Sequence, residues 1–257
     1  MIRNAKTPIT NRRGQTMYVR YEKPAGEIKG LAIIQHGFAG SMDEPHIKAI
    51  AQPFRNKSFA TLSLDCTNAF NPADGTPEEC RMHTHLHDLY DAIAWAKEQD
   101  FYQEPFALAG HSLGGFTVMH YAAENADEIS MLFPFACVTN GRKLAEAFER
   151  NLPEGVFKSW VDQGYQEIES WDGSGKRARR SYEWLADMDK YDIYEKVDGL
   201  TMPVLLVVGS NDIPTPPDHH LMLYNVLPEN TREMHIIPGA DHIVSVHEHR
   251  EKMTEIL

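Results

Sequence analysis

The sequence contains little cysteine and no long hydrophobic run. Its three cysteines, Cys66, Cys80 and Cys137, are odd in number and widely spaced along 257 residues. A disulfide framework is therefore not expected, and a reducing compartment fits better. The first residues lack the apolar stretch of a signal peptide, and no run approaches the roughly 18 apolar residues of a membrane span. These absences predict a cytoplasmic protein with no membrane partner.

Positive charge is also scarce. The chain has 25 Lys and Arg residues against 37 Asp and Glu residues, which gives a formal net charge of −12. This balance argues against nucleic acid as a partner, because polyanions are bound through broad basic surfaces. The run from Lys176 to Arg180 is basic, but it lies in an acidic chain without a nucleic-acid-binding signature. We expect this run to form a solvated surface.

Size and periodicity predict one large α/β domain. Short apolar or β-branched runs alternate with segments of helical periodicity, and this alternation predicts a mostly parallel central sheet with helices on both faces. A hairpin is expected at the sheet edge within residues 2–21, and Ser41 is the expected cap of a helix at 43–57. The remaining predicted strands cover residues 30–36, 59–65, 106–110, 129–136, 204–208 and 232–237. The sequence leaves the oligomeric state open, a homodimer included.

Between residues 138 and 201 the pattern changes. Tryptophans and tyrosines are mixed with many charged residues, which predicts short helices and no continuous buried strand. We interpret 138–201 as a small cap inserted into a core made of 1–137 and 202–257. Most of its aromatic residues are expected to form the cap's own small core. Because binding clefts are mainly apolar, Trp160, Trp171 and Trp184 are also candidates for contact with substrate.

The segment from Phe106 to Phe116 contains the strongest chemical signal. A buried strand ends at Gly110, and a helix begins after Ser112, so the G-x-S-x-G pattern of Gly110 to Gly114 falls between strand and helix. That context is the one in which a serine hydroxyl is exposed at the top of a sheet. Ser112 is the predicted nucleophile. Gly110 and Gly114 would allow neighbouring backbone segments to approach closely.

A serine nucleophile needs a base and a carboxylate that orients the base. Asp212 and His242 each follow a predicted strand and lie later in the chain than the serine. The carboxyl ends of parallel strands are where open α/β sheets gather their sites. Asp212 and His242 are therefore the predicted partners. Asp241 is a rival acid beside the histidine, and Asp187 and Asp189 are weaker rivals.

The same chemistry requires hydrogen-bond donors for an oxyanion. We predict that the backbone N–H groups of Phe38, on the loop after an early strand, and of Leu113, which follows the nucleophile, form this oxyanion hole. Among the other histidines, His36 and His111 are interpreted as structural hydrogen-bonding residues.

The group His83, His85 and His87 is dense, but no Cys or carboxylate completes an evident zinc set. A solvated or locally hydrogen-bonded face is the preferred interpretation. We expect no metal ion at this group, and we expect no organic cofactor in the protein.

Four segments of this sequence together resemble the α/β-hydrolase family. They are His36-Gly37-Phe38, Gly110-His-Ser-Leu-Gly-Gly115, Gly209-Ser-Asn-Asp212 and Gly239-Ala-Asp-His242. The resemblance covers nearly the whole chain, and the length is similar to that of small bacterial carboxylesterases, including cinnamoyl and feruloyl esterases. It implies the α/β-hydrolase fold and a serine esterase acting on small-molecule esters. Thioester, amide or carbon–carbon bond hydrolysis, and a non-catalytic binding protein, remain alternatives.

Overall fold

The computed structural model describes residues 5–170 and 174–257. The strands are β1 Thr7–Thr10, β2 Thr16–Glu22, β3 Gly30–Gln35, β4 Phe59–Asp65, β5 Phe106–His111, β6 Ile129–Phe135, β7 Tyr165–Glu169, β8 Arg177–Ser181, β9 Val204–Gly209 and β10 Arg232–Ile237. The helices are α1 Pro45–Asn56, α2 Met82–Lys97, α3 Leu113–Glu124, α4 Gly141–Asn151, α5 Val156–Gln163, α6 Tyr182–Met188, α7 Pro217–Val226 and α8 His247–Ile256. Short 3₁₀ turns lie at Pro77–Glu79, Ala126–Glu128, Ile193–Gly199 and Glu229–Thr231.

The central sheet has eight strands in the order β1-β2-β4-β3-β5-β6-β9-β10. The pairs β1–β2 and β2–β4 are antiparallel, and the other pairs are parallel. The predicted edge hairpin and the mostly parallel sheet are therefore confirmed. Parallel order places the C-terminal ends of β5, β9 and β10 along one edge, where the loops that follow them converge.

Helices cover both faces of the sheet, as the apolar strands require. Successive residues of a strand point to opposite faces. In β3, Leu31 and Ile33 accordingly pack in the core that includes α2 and α3, whereas Ala32 and Ile34 pack in the core that includes α1 and α8. The sheet is thus buried between two helical layers, and its loops carry the site.

The helix α1 begins later than expected, and the predicted cap at Ser41 is wrong. The helix starts at Pro45, and Glu44 precedes it without a side-chain capping bond. Proline suits the first helical position, because its fixed φ matches the helix and the missing N–H would be unpaired there. The Ser41 hydroxyl instead donates to the buried carboxylate of Asp65 at 2.9 Å. The hydroxyl also accepts from Asp43 N–H at 3.2 Å, so its local contact lies in the turn before the helix.

The 138–201 segment holds α4, α5, α6 and a two-stranded antiparallel sheet of β7 and β8. This hairpin is absent from the sequence-based prediction, because both of its strands are rich in charge. The expectation that the basic run from Lys176 to Arg180 is solvated is wrong for Arg180. Arg177 and Arg179 are exposed, but Arg180 is partly buried, with its guanidinium 4.4 Å from the ring centre of Trp160. Alternation along the strand turns that one arginine inward.

The structure bears on two expectations from composition, the state of the cysteines and the length of apolar helices. Cys66, Cys80 and Cys137 are free and buried. Burial raises the pKa of each thiol, so none is a thiolate at neutral pH. Among the described residues, no helix has both the length and the apolar character needed to cross a bilayer.

His120 is a buried histidine on α3 that lies between aromatic rings. Its ring centre lies 4.6 Å from that of Phe116 and 5.8 Å from that of Tyr191. Neither ring nitrogen has a hydrogen-bond partner among the described residues. Burial lowers the pKa of His120 to about 4, the Lys196 ammonium acts in the same direction, and Glu124 opposes it. The folded state therefore holds this ring neutral.

Substitution of His120 by leucine is expected to make the protein less sensitive to acid. The unfolded chain protonates the ring near its usual pKa of 6.5, whereas the folded protein resists protonation down to about 4. Stability from the neutral ring is complete above the unfolded pKa and is lost as the pH falls toward the folded pKa. Between about pH 7.5 and about pH 5, the loss in unfolding free energy should be about 1–2 kcal/mol smaller in His120→Leu.

Urea unfolding of wild type and variant at the two pH values measures this difference. The substitution of an exposed histidine, His247→Gln, is the matched control and should leave the acid sensitivity unchanged. An equal acid-induced loss in wild type and His120→Leu would contradict the expectation.

Candidate active site

Ser112 lies at a strained turn between β5 and α3. Its φ of 55° and ψ of −116° are unusual for a residue with a side chain. Backbone hydrogen bonds hold the turn: Ser112 N–H donates to Phe135 O at 3.0 Å, and Ser112 O accepts from Phe116 N–H at 3.0 Å and from Val138 N–H at 3.3 Å. A strained backbone persists where the surrounding structure over-determines it, and such sites are often functional.

Glycine is required on both sides of this turn. A Cβ atom at Gly110 would lie 2.4 Å from Gly114 O, and one at Gly114 would lie 2.3 Å from His36 O. Both distances are far below van der Waals contact. The strand and the helix can therefore approach closely only because these two positions have no side chain, as the sequence pattern predicts.

The structure brings Ser112, His242 and Asp212 into a continuous hydrogen-bonded chain. Ser112 Oγ lies 2.9 Å from His242 Nε2, and His242 Nδ1 lies 2.8 Å from Asp212 Oδ2. The Asp212 carboxylate is fully buried, and the His242 side chain is 19% exposed. In this arrangement Nδ1–H donates to the carboxylate, and Nε2 is left to accept from the serine hydroxyl.

The rival acids lie in other hydrogen-bond arrangements. The Asp241 carboxylate accepts from the N–H of Ser245 at 2.8 Å and from its hydroxyl at 2.5 Å. The Asp187 carboxylate accepts from Met82 N–H at 2.9 Å, and Asp189 follows the end of α6. Of the acids considered from the sequence, Asp212 is the one that contacts the imidazole.

Thr215 is a site residue that the sequence-based reasoning missed. Its N–H donates to Asp212 Oδ1 at 2.8 Å. Its hydroxyl lies 3.0 Å from Asp212 Oδ2 and 2.9 Å from Ala136 O. These contacts fix both oxygens of the carboxylate, and Thr215 Oγ1 also lies 3.3 Å from His242 Nδ1. A threonine three residues after an aspartate is the local signal that could have identified it.

The N–H groups of Phe38 and Leu113 lie on the two loops that the sequence assigns to an oxyanion hole. Leu113 opens α3, so its N–H is one of the unpaired donors of a helix N-terminus. Within the described part of the chain, neither N–H has a backbone acceptor. Gly37 allows the loops to meet, because a Cβ there would lie 3.1 Å from Ser112 Cβ.

Two buried histidines hold these loops in place. His36 Nε2 accepts from Cys66 N–H at 3.0 Å, so its Nδ1–H donates to Gly37 O at 2.7 Å. His111 Nε2–H donates to His242 O at 2.9 Å. Burial lowers the pKa of His36 and of His111, so both rings are neutral at neutral pH. Both histidines contact backbone, in agreement with structural roles.

The other histidine group also lies in local contacts. His85 is buried, and its Nε2 donates to His36 O at 2.9 Å. The rings of His83 and His87 lie 6.0 Å apart on the same helix. Over residues 5–170 and 174–257, no three or more His, Cys, Asp or Glu side chains are grouped so as to hold a metal ion.

A mainly apolar cavity of about 590 Å³ opens at Ser112 and His242. Trp184 lines this cavity, and its ring centre lies 4.8 Å from that of Phe38. Trp160 is stacked behind Trp184, with ring centres 6.4 Å apart. Trp171 lies outside the described residues. Of the three candidate tryptophans, the structure therefore places Trp184 on the cavity and Trp160 in the layer behind it.

Comparison with known proteins agrees with this architecture. Est1E from Butyrivibrio proteoclasticus, in a structure with ferulic acid bound, is 26% identical, with a TM-score of 0.79 over 97% of this chain and 95% of that one. Alpha/beta hydrolase domain-containing protein 10 from mouse is 16% identical, with a TM-score of 0.74 over 97% of this chain and 95% of that one. An uncharacterized 31.7 kDa protein of the traX-finO intergenic region of Escherichia coli is 24% identical over 253 residues, covering 86% of each chain.

A model of the prolyl oligopeptidase family matches residues 82–257, which include Ser112, Asp212 and His242. This match covers more than half of the chain, and the similar structures share its α/β-hydrolase fold. The chain belongs to the prolyl oligopeptidase family of α/β-hydrolases.

Proposed function

We propose that the protein is a serine hydrolase that cleaves carboxylic esters of small acyl or aryl-acyl groups. The main support for this proposal is the hydrogen-bonded chain from Ser112 through His242 to Asp212 at the wall of an apolar cavity. The ferulic acid bound to the similar protein Est1E supports an aryl-acyl group. The natural partner is accordingly a small-molecule ester.

In the first half of the reaction, Ser112 Oγ attacks the ester carbonyl carbon while its proton passes to His242 Nε2. Asp212 keeps Nδ1 protonated and stabilises the imidazolium that forms. The imidazolium then gives its proton to the leaving alcohol. The carbon–oxygen bond to that alcohol breaks, and the acyl group remains on the serine.

In the second half, water replaces the alcohol. His242 takes a proton from the water as it attacks the acyl carbon, and then returns a proton to Ser112 Oγ as the acid leaves. Both tetrahedral intermediates carry a negative oxygen, which we assign to the N–H groups of Phe38 and Leu113. Loss of one such donor typically lowers the rate by about 10²–10³-fold.

We further propose that residues 138–201 act as a cap over the site, with 1–137 and 202–257 as the core. Support comes from Trp184, which reaches the cavity from α6 and packs on Phe38. Trp184 is therefore the proposed wall for the acyl group, and Trp160 supports it from behind.

A cytoplasmic location is also part of the proposal. It is supported by the three free, buried cysteines, which suit a reducing compartment.

The proposal is tested by covalent labelling and by a substrate panel. A fluorophosphonate probe should label wild type at Ser112, found by mass spectrometry of the labelled peptide, and should not label Ser112→Ala. The panel contains nitrophenyl esters of increasing chain length and a feruloyl ester, together with a matched thioester and nitroanilide. Labelling and turnover of at least one oxygen ester are expected.

Two outcomes would overturn parts of this assignment. A folded protein that resists the probe would point to a binding module. A kcat/KM that is higher for the thioester or the nitroanilide than for every oxygen ester would keep the mechanism and replace the named activity.

A further inference from the structure

Arg180 lies in a cage of aromatic rings at the cavity. Its guanidinium carbon lies 4.4 Å from the ring centre of Trp160, 4.7 Å from that of Phe148 and 5.5 Å from that of Trp184. The ring centre of Phe38 lies 5.8 Å away. These rings cover part of the cation, which is partly buried, and their faces attract it.

The hydrogen bonds of this guanidinium are incomplete. Of its five N–H donors, one on Nη2 is paired with a group in residues 5–170 and 174–257, namely Gln166 Oε1. Nε is buried and has no partner in the described part of the chain. No carboxylate of that part lies within ion-pair distance of Arg180. Burial lowers the pKa of Arg180 to about 9, so the side chain remains a cation at neutral pH. Among the described residues it has no counter-ion, and its Nε is shielded from water.

The cavity that contains Ser112 offers this cation no free carboxylate. Its acidic wall residues contact other protein groups: Glu44 accepts from the Ser41 N–H, Glu169 lies 3.6 Å from Arg177, and Asp241 accepts from Ser245. Two histidines of the wall, His46 and His111, have pKa values that burial lowers, to about 3 for His46, and they are neutral. In the described part of the cavity wall, Arg180 is therefore the cation that has no counter-ion.

An unpaired, partly desolvated cation raises the free energy of the folded protein unless a ligand pairs with it. Guanidinium binds carboxylate through two parallel hydrogen bonds, which are stronger when water is excluded. Arg180 also lies close enough to the catalytic groups to bind the far end of a substrate. Its guanidinium is near the ring of Phe38, whose N–H belongs to the proposed oxyanion hole. A ligand that reaches from Ser112 to the guanidinium would extend along the wall formed by Phe38 and Trp184.

We propose that Arg180 binds a carboxylate carried by the substrate, so that the natural substrate is an ester with a free carboxylate group away from the scissile bond. This inference rests on the proposed ester hydrolysis at Ser112 and names its substrate class. A purely structural Arg180 would only support the aromatic cage. The two roles differ in whether the charge of the substrate matters.

Matched ester pairs separate these roles. Each pair consists of the 4-nitrophenyl ester of an acid with a free terminal carboxylate and of the same ester with that carboxylate methylated, built on adipate, suberate and 4-carboxycinnamate to vary the distance. For at least one pair, wild type should have the higher kcat/KM for the free carboxylate. Arg180→Gln should lower kcat/KM for that ester by about 10- to 100-fold and leave the methylated ester close to wild type. Arg180→Lys should retain part of the preference.

Arg179→Gln is the control, because Arg179 is the exposed neighbour on β8 with its guanidinium 4.2 Å from the ring centre of Tyr165. This variant should leave the preference unchanged. An equal loss for both members of every pair in Arg180→Gln would overturn the proposal in favour of a structural role. So would a wild type that favours no free carboxylate.

A binding measurement keeps this inference distinct from the proposed hydrolysis. Calorimetric titration of Ser112→Ala with the same ester pairs gives Kd without turnover, and Arg180→Gln in that background should weaken the free-carboxylate ester alone. Failure of fluorophosphonate labelling with this binding difference intact would reject the esterase and keep the anion site. Normal labelling with no binding difference would keep the esterase and reject the anion site.

Discussion

Replacing Ser112 with alanine is expected to lower kcat for ester hydrolysis by at least about 10⁴-fold. The substitution removes the oxygen that lies 2.9 Å from His242 Nε2 and leaves no group to form the acyl-enzyme. Alanine has the same backbone requirements as serine, so the strained turn and the fold should be retained. Stopped and continuous assays with the best nitrophenyl ester of the panel measure the loss, and circular dichroism confirms folding.

Ser130→Ala is the matched control for this substitution. Ser130 lies on β6, and its buried hydroxyl has no partner in the described part of the chain. Its removal should leave kcat unchanged. If Ser112→Ala retained more than about a tenth of wild-type kcat, the nucleophile would have to be assigned elsewhere, since an activated serine accounts for several orders of magnitude.

Asp212→Asn is expected to lower kcat by about 10³–10⁴-fold. Because the Oδ1 position accepts from Thr215 N–H, the amide would present its N–H₂ group to His242 Nδ1, which favours the tautomer with its proton on Nε2. That proton would face Ser112 Oγ, and the base could no longer accept. The contacts from Thr215 hold the side chain at residue 212 in place, so the effect should come from the tautomer and not from displacement.

The neighbouring acid provides the control for Asp212. Asp241 adjoins His242 in sequence, but its carboxylate is occupied by Ser245. Asp241→Asn should therefore have a small effect on kcat in the same assay. A larger loss in Asp241→Asn than in Asp212→Asn would contradict the observed orientation of the histidine and would exchange the roles of the two acids.

The sheet could be predicted from sequence because its strands carry a local signal. Phe59–Asp65 and Arg232–Ile237 form strands with the predicted bounds, since each is a short, bounded run with β-forming side chains. The start of α1 could not be predicted, because the Ser41 hydroxyl can bond either to the N–H groups of a helix or to the carboxylate of Asp65. That carboxylate is distant in sequence, and only the folded chain shows it.

The site divides in the same way. Ser112, Asp212 and His242 follow recognisable strands, and the parallel order of the sheet is enough to bring such loops together. No local sequence pattern predicts that the Arg180 side chain points into the cavity. That orientation depends on the register of β8 with β7 and on rings from Phe38, Phe148 and two tryptophans, which come from separate parts of the sequence.

In the proposed reaction, the packing of Trp184 on Phe38 would couple the choice of acyl group to the rate of its hydrolysis. A ring that a ligand presses against also sets the orientation of the peptide group that would meet negative charge during the reaction. Redesign of this wall for a different acid would therefore alter turnover together with affinity. Variants chosen for a new acyl group would need a second round of substitutions around residue 38 to recover speed.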